Sequence, residues 1–453
     1  MKSLKLFQDK AFYRSLFTLA IPISLQSLIN SSVNMADTVM IGRLGTVEIA
    51  SVGLGNQVFF LFTMLLFGIG SGGTVFTAQY WGKQDIEGIR RTTGICLVFS
   101  FITATFFTLV SLFAPSFIIS LYSNDPAVIS AGSVYLRGLA PSFIPFAVSF
   151  VFTLIMRSVE KVRLSIVATI ISLSINVVLN ACLIFGLGIF PRMGVAGAAL
   201  ATVIARYVEV LILVGSSYRL RYVFTGSFKE LFNIKASSVR YFLLIALPVM
   251  VNELLWSLGI TMQNVVFART GTNAIAAFNI TSTVSQLTWV AFIGLGNGAA
   301  VLIGKKIGQS DELQARSYAG LITRFMPLLA AAVALILIPL SWSLPYLFKV
   351  EPSVFHIINR MFIILALSYP FRAFNMAMII GVCRAGGDTI FSVVYDVAVM
   401  WVITLPLAAL ASFLLGAPVW LVYLCVAMED PLKMLLGVWR LRSGKWLHNV
   451  TGK

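Results

Sequence analysis

Charged residues are scarce in this chain. Asp, Glu, Lys and Arg make up 11% of its 453 residues, against about a quarter in a soluble domain, which excludes a water-soluble fold. Histidine occurs only at His356 and His448, too far apart for a histidine metal site. The four cysteines, Cys96, Cys182, Cys383 and Cys425, lack metal-type spacing and read as small apolar fillers. No GxxxxGK[ST] loop is present, so ATP is not expected to supply energy. Paired acids, a His–metal set and an activated nucleophile are also missing. That argues against a membrane-embedded enzyme and leaves no cofactor to expect. The alternating pattern of a β-barrel is absent as well.

What the chain has is apolar length. It is 58% hydrophobic, and about 20 apolar residues make one spanning helix. Breaks at charged clusters place helices near 16–38, 56–79, 94–118, 133–156, 164–187 and 195–217. Six more fall near 241–264, 281–303, 321–345, 357–382, 392–415 and 418–438. The expected fold is therefore an all-α integral membrane protein of twelve transmembrane helices. The net charge of +16 suggests nucleic acid until its distribution is read. Most Lys and Arg lie in loops on the amino-terminal side of the map, which puts both termini in the cytoplasm. No basic patch with interleaved aromatics remains for nucleic acid.

The chain also repeats itself. At a shift of 226, Pro22 falls on Pro248, Arg43 on Arg269, Gly45 on Gly271, and Gly68, Gly70 and Gly72 on Gly294, Gly296 and Gly298. Gly82 and Asp85 fall on Gly308 and Asp311, and at 227 Arg157 falls on Arg384. Composition alone matches Leu with Ile, but does not bring Pro, Gly, Arg and Asp into register. Six helices return the chain to its starting side, so the halves are parallel repeats about an axis along the membrane normal. We expect two pseudo-symmetric six-helix bundles around a central cavity: an amino-terminal lobe 1–217, a cytoplasmic linker 218–240 and a carboxy-terminal lobe 241–453. The GxxxG pairs Gly68/Gly72 and Gly294/Gly298 read as close helix packing.

Candidate functional residues are the polar ones inside spans. Asp37 follows a band of Ser, Asn and Gln in the first helix, and Pro22 bends that helix near its start. A carboxylate in hydrocarbon costs several kcal/mol unless compensated, so it marks a functional site unless it sits at headgroup level. Asn176 and Asn180 are four apart, on one helix face, with Thr202 close behind. Their oxygens and that of Asp37 are hard ligands suited to a small cation, although Asn and Thr also glue helices together. Glu253, five residues after Pro248, has Asn252, Trp256 and Gln263 as neighbours that suit a wet cavity. Arg206 can pair with Glu209, and Glu429 with Lys433. Asp396 has no neighbour to pair with; Arg372 either partners it or snorkels.

IPISLQSLINSSVNMADTVMIGRLG, QYWGKQD, its echo KKIGQSDE, INVVLNACLIFGLG, GVAGAALAT and CRAGGDT together, in this order, resemble the multidrug and toxic compound extrusion family. The resemblance covers essentially the whole chain. It implies a monomeric secondary antiporter in the inner membrane of a bacterium or archaeon. Such a protein exports small organic, often cationic, compounds across the lipid bilayer in exchange for Na+ or H+. Residue by residue it implies the first-helix acid at Asp37, the bend-forming proline at Pro22, and a cation site of Asp37, Asn176, Asn180 and Thr202. It places Glu253 about one turn from the acid some members use, and with its cavity neighbours Asn252 and Gln263, and with Asp37, this gives the expected substrate and coupling residues. Some members carry Asp where Asn180 stands, and some an acid where Ala373 stands. A lipid-linked oligosaccharide flippase shares this architecture. It needs cavity cations for a pyrophosphate, and only Arg206 and Arg372 are read as intramembrane arginines.

Overall fold

A computed structural model describes residues 9–347 and 352–451; the first eight residues of the basic amino-terminal tail and the last two of the chain lie outside them. Among the described residues there is no strand, only an isolated antiparallel bridge between Gly387 and Leu447. The long helices are α1 (Lys10–Gly42), α2 (Thr46–Lys83), α3 (Ile86–Phe113), α4 (Pro126–Ser158), α5 (Val162–Phe185) and α6 (Val195–Arg219). They continue as α7 (Ala236–Ala268), α8 (Thr272–Gly308), α9 (Glu312–Leu347), α10 (Val354–Arg384) and α11 (Thr389–Leu414). These eleven are long and apolar enough to cross a membrane.

The last expected span, 418–438, is two pieces, Val419–Ala427 and Glu429–Ser443. Pro431 explains the break. It has no N–H for the carbonyl of Ala427, so the helix restarts with the proline in its first turn. At two loops cap chemistry, and not the end of an apolar stretch, sets the helix boundaries. Gln84 turns left-handed at φ 61 and Asp85 then caps α3, accepting from the Gly88 amide at 2.9 Å. The repeat does the same at α9: Ser310 has φ 59, and Asp311 accepts from Gln314 at 3.1 Å. The repeated Gly/Asp signature is thus loop and cap chemistry.

The chain forms two compact units, one of Leu25–Ala246 and one of Met1–Ser24 with Leu247–Lys453. The divisions fall inside α1 and α7, beside Pro22 and Pro248, so each unit carries a helix start from the other half of the chain. In the first unit a Cβ on Gly72 would strike Ala246, and Phe242 stacks on Phe76 and Phe99 at 6.0 Å. In the second a Cβ on Gly294 would strike Ala20 and Ser24. There Phe12 meets Tyr318 at 4.6 Å, and Phe17 meets Phe325 at 5.9 Å. Ala20 and Ala246 are repeat equivalents, so the GxxxG glycines seat the swapped helix starts. The CRAGGDT loop holds the carboxyl tail. Gly387 (φ +74) turns the chain, Gly386 O accepts from the His448 amide at 2.8 Å, and Arg440 grips Asp388 at 2.7 and 2.9 Å.

Candidate functional site

Within the unit Leu25–Ala246 lies a cavity of about 490 Å³. Past Pro22, α1 presents Gln26, Asn30, Asn34 and Asp37 to it, a spacing of four, four and three that keeps them on one helix face. α5 adds Thr169, Asn176 and Asn180 by the same periodicity, and α6 adds Thr202, Arg206 and Glu209. Phe59 and Phe60 from α2 and Phe146 and Phe150 from α4 make apolar wall.

The four residues expected to form a cation site come together. Asn180 Nδ2 donates to Asp37 Oδ1 at 2.7 Å and lies 3.2 Å from Asn176 Oδ1; Asn176 Nδ2 donates to Thr202 Oγ1 at 3.4 Å. Asn180 Oδ1 is buried and has no hydrogen-bond partner. An orphaned amide oxygen beside a carboxylate is an acceptor awaiting a cation or a proton donor.

A second polar chain crosses the same cavity. Arg157 Nη2 donates to Gln26 Oε1 at 2.7 Å, Gln26 Nε2 to Thr169 Oγ1 at 2.7 Å, and Thr169 to Glu209 at 3.3 Å. Glu209 is held by Arg206 at 2.8 Å, as the spacing suggested, and Arg206 lies over Phe146 at 4.8 Å. Arg157 corrects the count of intramembrane arginines. It sits one residue past the expected end of its span, but α4 continues through it and turns it into the cavity. Its repeat mate Arg384, buried in α10, is a further one.

Asn252, Glu253 and Gln263, which lie in the other unit, are all buried and do not line this cavity. Glu253 is paired with Arg384 at 2.5 Å, and Asn252 donates to Asp396 at 3.0 Å. The partner of Asp396 is Lys433, at 2.7 Å, which also takes Glu429 at 2.5 Å. Arg372 instead donates to Ser285 at 3.1 Å and lies over Trp289 at 4.7 Å. The two polar centres are repeat equivalents: Gln26–Thr169 corresponds to Asn252–Asp396, and Arg206 to Lys433. The repeat register is the signal that could have paired Asp396 with Asn252.

Membrane-length helices around an internal polar cavity, with a carboxylate and an unpartnered amide oxygen in its wall, define an integral membrane transporter. The chain belongs to the MatE family, whose pattern matches residues 22–182 and 248–410 and so begins at Pro22 in one half and at Pro248 in the other. The family is one of transporters, not enzymes. YisQ, an uncharacterized transporter of Bacillus subtilis (strain 168), is 26% identical over 453 residues, covering 98% of this chain and 97% of its own. A probable multidrug resistance protein, NorM, of Thermotoga maritima is 25% identical, covering 96% of this chain and 93% of its own. Among solved structures, the Vibrio cholerae MATE transporter VcmN matches with a TM-score of 0.88 at 19% identity, over 98% of this chain and 99% of that one. A MATE structure in the straight conformation matches at 0.86 with 20% identity, over 96% and 97%. At such identities the structures show the fold alone, with its two six-helix halves.

Proposed function

We propose that this chain is a secondary antiporter that exports small organic compounds in exchange for Na+ or H+ taken up at Asp37. The observation that carries the reading is the contact of Asp37 with Asn180, whose own Oδ1 is buried and unpartnered beside Asn176 and Thr202. Asp37, Asn176, Asn180 and Thr202 would hold the ion through oxygens, the donor type a hard cation prefers. The carboxy-terminal unit is the weaker candidate for the coupling ion, because Asp396 already carries the ammonium of Lys433. Glu253 reaches a cationic substrate only by releasing Arg384, so its substrate role, with Asn252 and Gln263 beside it, is secondary. A multidrug substrate range accords with the names NorM carries. The protein works as a monomer in the cytoplasmic membrane, with both termini inside.

A ligand moves a conformational equilibrium only by binding one state better. An ion at Asp37 does so if the Pro22 bend of α1 differs between states, since proline leaves a backbone carbonyl free and brings two helix shapes close in energy. The test is efflux from proteoliposomes with a Na+ or a proton gradient imposed separately. Wild type should export under one of them. Asp37→Asn should fold and bind substrate, yet export at least tenfold more slowly. Wild-type efflux by that variant would remove Asp37 from the mechanism.

A further inference from the structure

Of the four charged side chains facing the amino-terminal cavity, two cancel. Arg206 and Glu209 are paired at 2.8 Å. Asp37 is met by the Asn180 amide. Arg157 is left, with a single neutral partner, Gln26 Oε1, while its Nε is buried and unpartnered. No acid lies within ion-pair distance of it among the described residues. The repeat shows what is missing. Arg384 has the carboxylate of Glu253, whereas Ser27 stands at the position equivalent to Glu253. Gln26 is itself fixed by Thr169, so its oxygen occupies only part of the guanidinium fork. An ionic group inside a membrane span is costly until an opposite charge or water satisfies it.

We propose that Arg157 is the anion-binding group of this cavity, and that the molecules it takes are amphipathic aromatics bearing a carboxylate or sulfonate. Arg binds such groups through parallel N–H donors, and its planar fork makes the contact directional. The geometry fits a molecule charged at both ends. Gln26 and Asp37 are eleven residues apart on α1, about 16 Å of helix rise, and Phe59, Phe60, Phe146 and Phe150 line the wall. With a cation on Asp37 the cavity carries one excess positive charge, and the anionic end of the ligand cancels it. The assignment rests on the export reading only for the claim that the bound molecule is cargo.

A rhodamine free acid and its methyl ester differ only in the carboxylate, and fluorescence polarisation reads their binding to the full chain in nanodiscs. Wild type should prefer the acid by about tenfold, a typical scale for a charge-assisted hydrogen bond. Arg157→Gln should lose that preference by weakening acid binding alone. Arg157→Lys, keeping charge but not the fork, should lose part of it. Wild type and Arg157→Lys decide the matter even if the neutral variant fails to fold, because an unmoved preference in the lysine variant overturns the proposal. So does a wild type without preference, or a glutamine variant that weakens acid and ester alike. A wild type that prefers the acid yet moves neither dye in vesicles supports Arg157 as the anion site and overturns the export reading instead.

Discussion

Asp37 and Asp396 both sit in apolar helices, and each is compensated by a different kind of group. Asp37 has an amide and an open neighbouring oxygen, so its compensation can be exchanged. Asp396 has the covalently tethered ammonium of Lys433 and the Asn252 amide, so its compensation is permanent. Removing one partner of a buried ion pair costs about 3–5 kcal/mol because it strands the other charge. Lys433→Met should therefore lower thermal stability in detergent sharply, and adding Asp396→Asn should recover much of the loss. A single variant as stable as wild type would show that water already compensates Asp396. The Asn176–Asn180 pair could be read from sequence because residues four apart must share a helix face. The Asp396–Lys433 pair could not, since only tertiary packing brings together residues 37 apart. Arg157 escaped notice for a plainer reason: hydropathy ended its span one residue early, while the helix continued.

Side-chain caps set helix boundaries at several places in this protein, and the linker shows it best. The short helix Phe228–Phe232 begins with a capping box in which Glu230 accepts from the Ser227 amide at 2.6 Å, while Ser227 Oγ caps the Glu230 amide. These bonds from the Ser227 backbone and side chain, with Arg90 at 2.6 Å, hold the Glu230 carboxyl below its ordinary value. A depressed carboxylate contributes stability that is present above the unfolded value, about 4.3 for glutamate, and is lost as pH falls through the folded one. Hydrogen exchange at the Glu230 and Leu231 amides should therefore quicken, relative to the intrinsic rate, as pH drops below about 4. In Glu230→Gln the protection should be weaker at neutral pH and lose that dependence. An identical pH profile in the two proteins would detach the cap from Glu230. Capping motifs of this kind are legible in sequence, as is the Gly/Asp signature at α3 and α9. The broken last helix was legible too, in Pro431, but apolar length hid it.

The internal repeat announced two six-helix halves, yet it was silent on which helix start packs where. Repeat register compares a position with its mate and says nothing of partners. In the folded chain Phe12, Leu16 and Ala20, all buried, belong with α8 and α9, and Phe242 and Ala246 belong with α2 and α3. Each unit is thus incomplete without a segment encoded in the opposite half. Cutting the chain before Ala236 gives an amino fragment without the α7 start and a carboxy fragment without the α1 start. In the carboxy fragment the seat at Gly294 and Gly298 is empty, and Tyr318 and Phe325 lose their ring partners. Lost packing of this kind has no substitute in lipid, where helix association depends on close van der Waals fit. Co-expressed fragments should purify together on a tag carried by either one, with a melting temperature near that of the intact chain. The carboxy fragment alone should be degraded in cells or melt at a much lower temperature. Restoring residues 9–24 as a separate helix should raise that temperature, and replacing Gly298 with Leu should abolish the rescue by filling the seat. A carboxy fragment as stable alone as in the pair would mean that the α1 start contributes nothing to the stability of its unit.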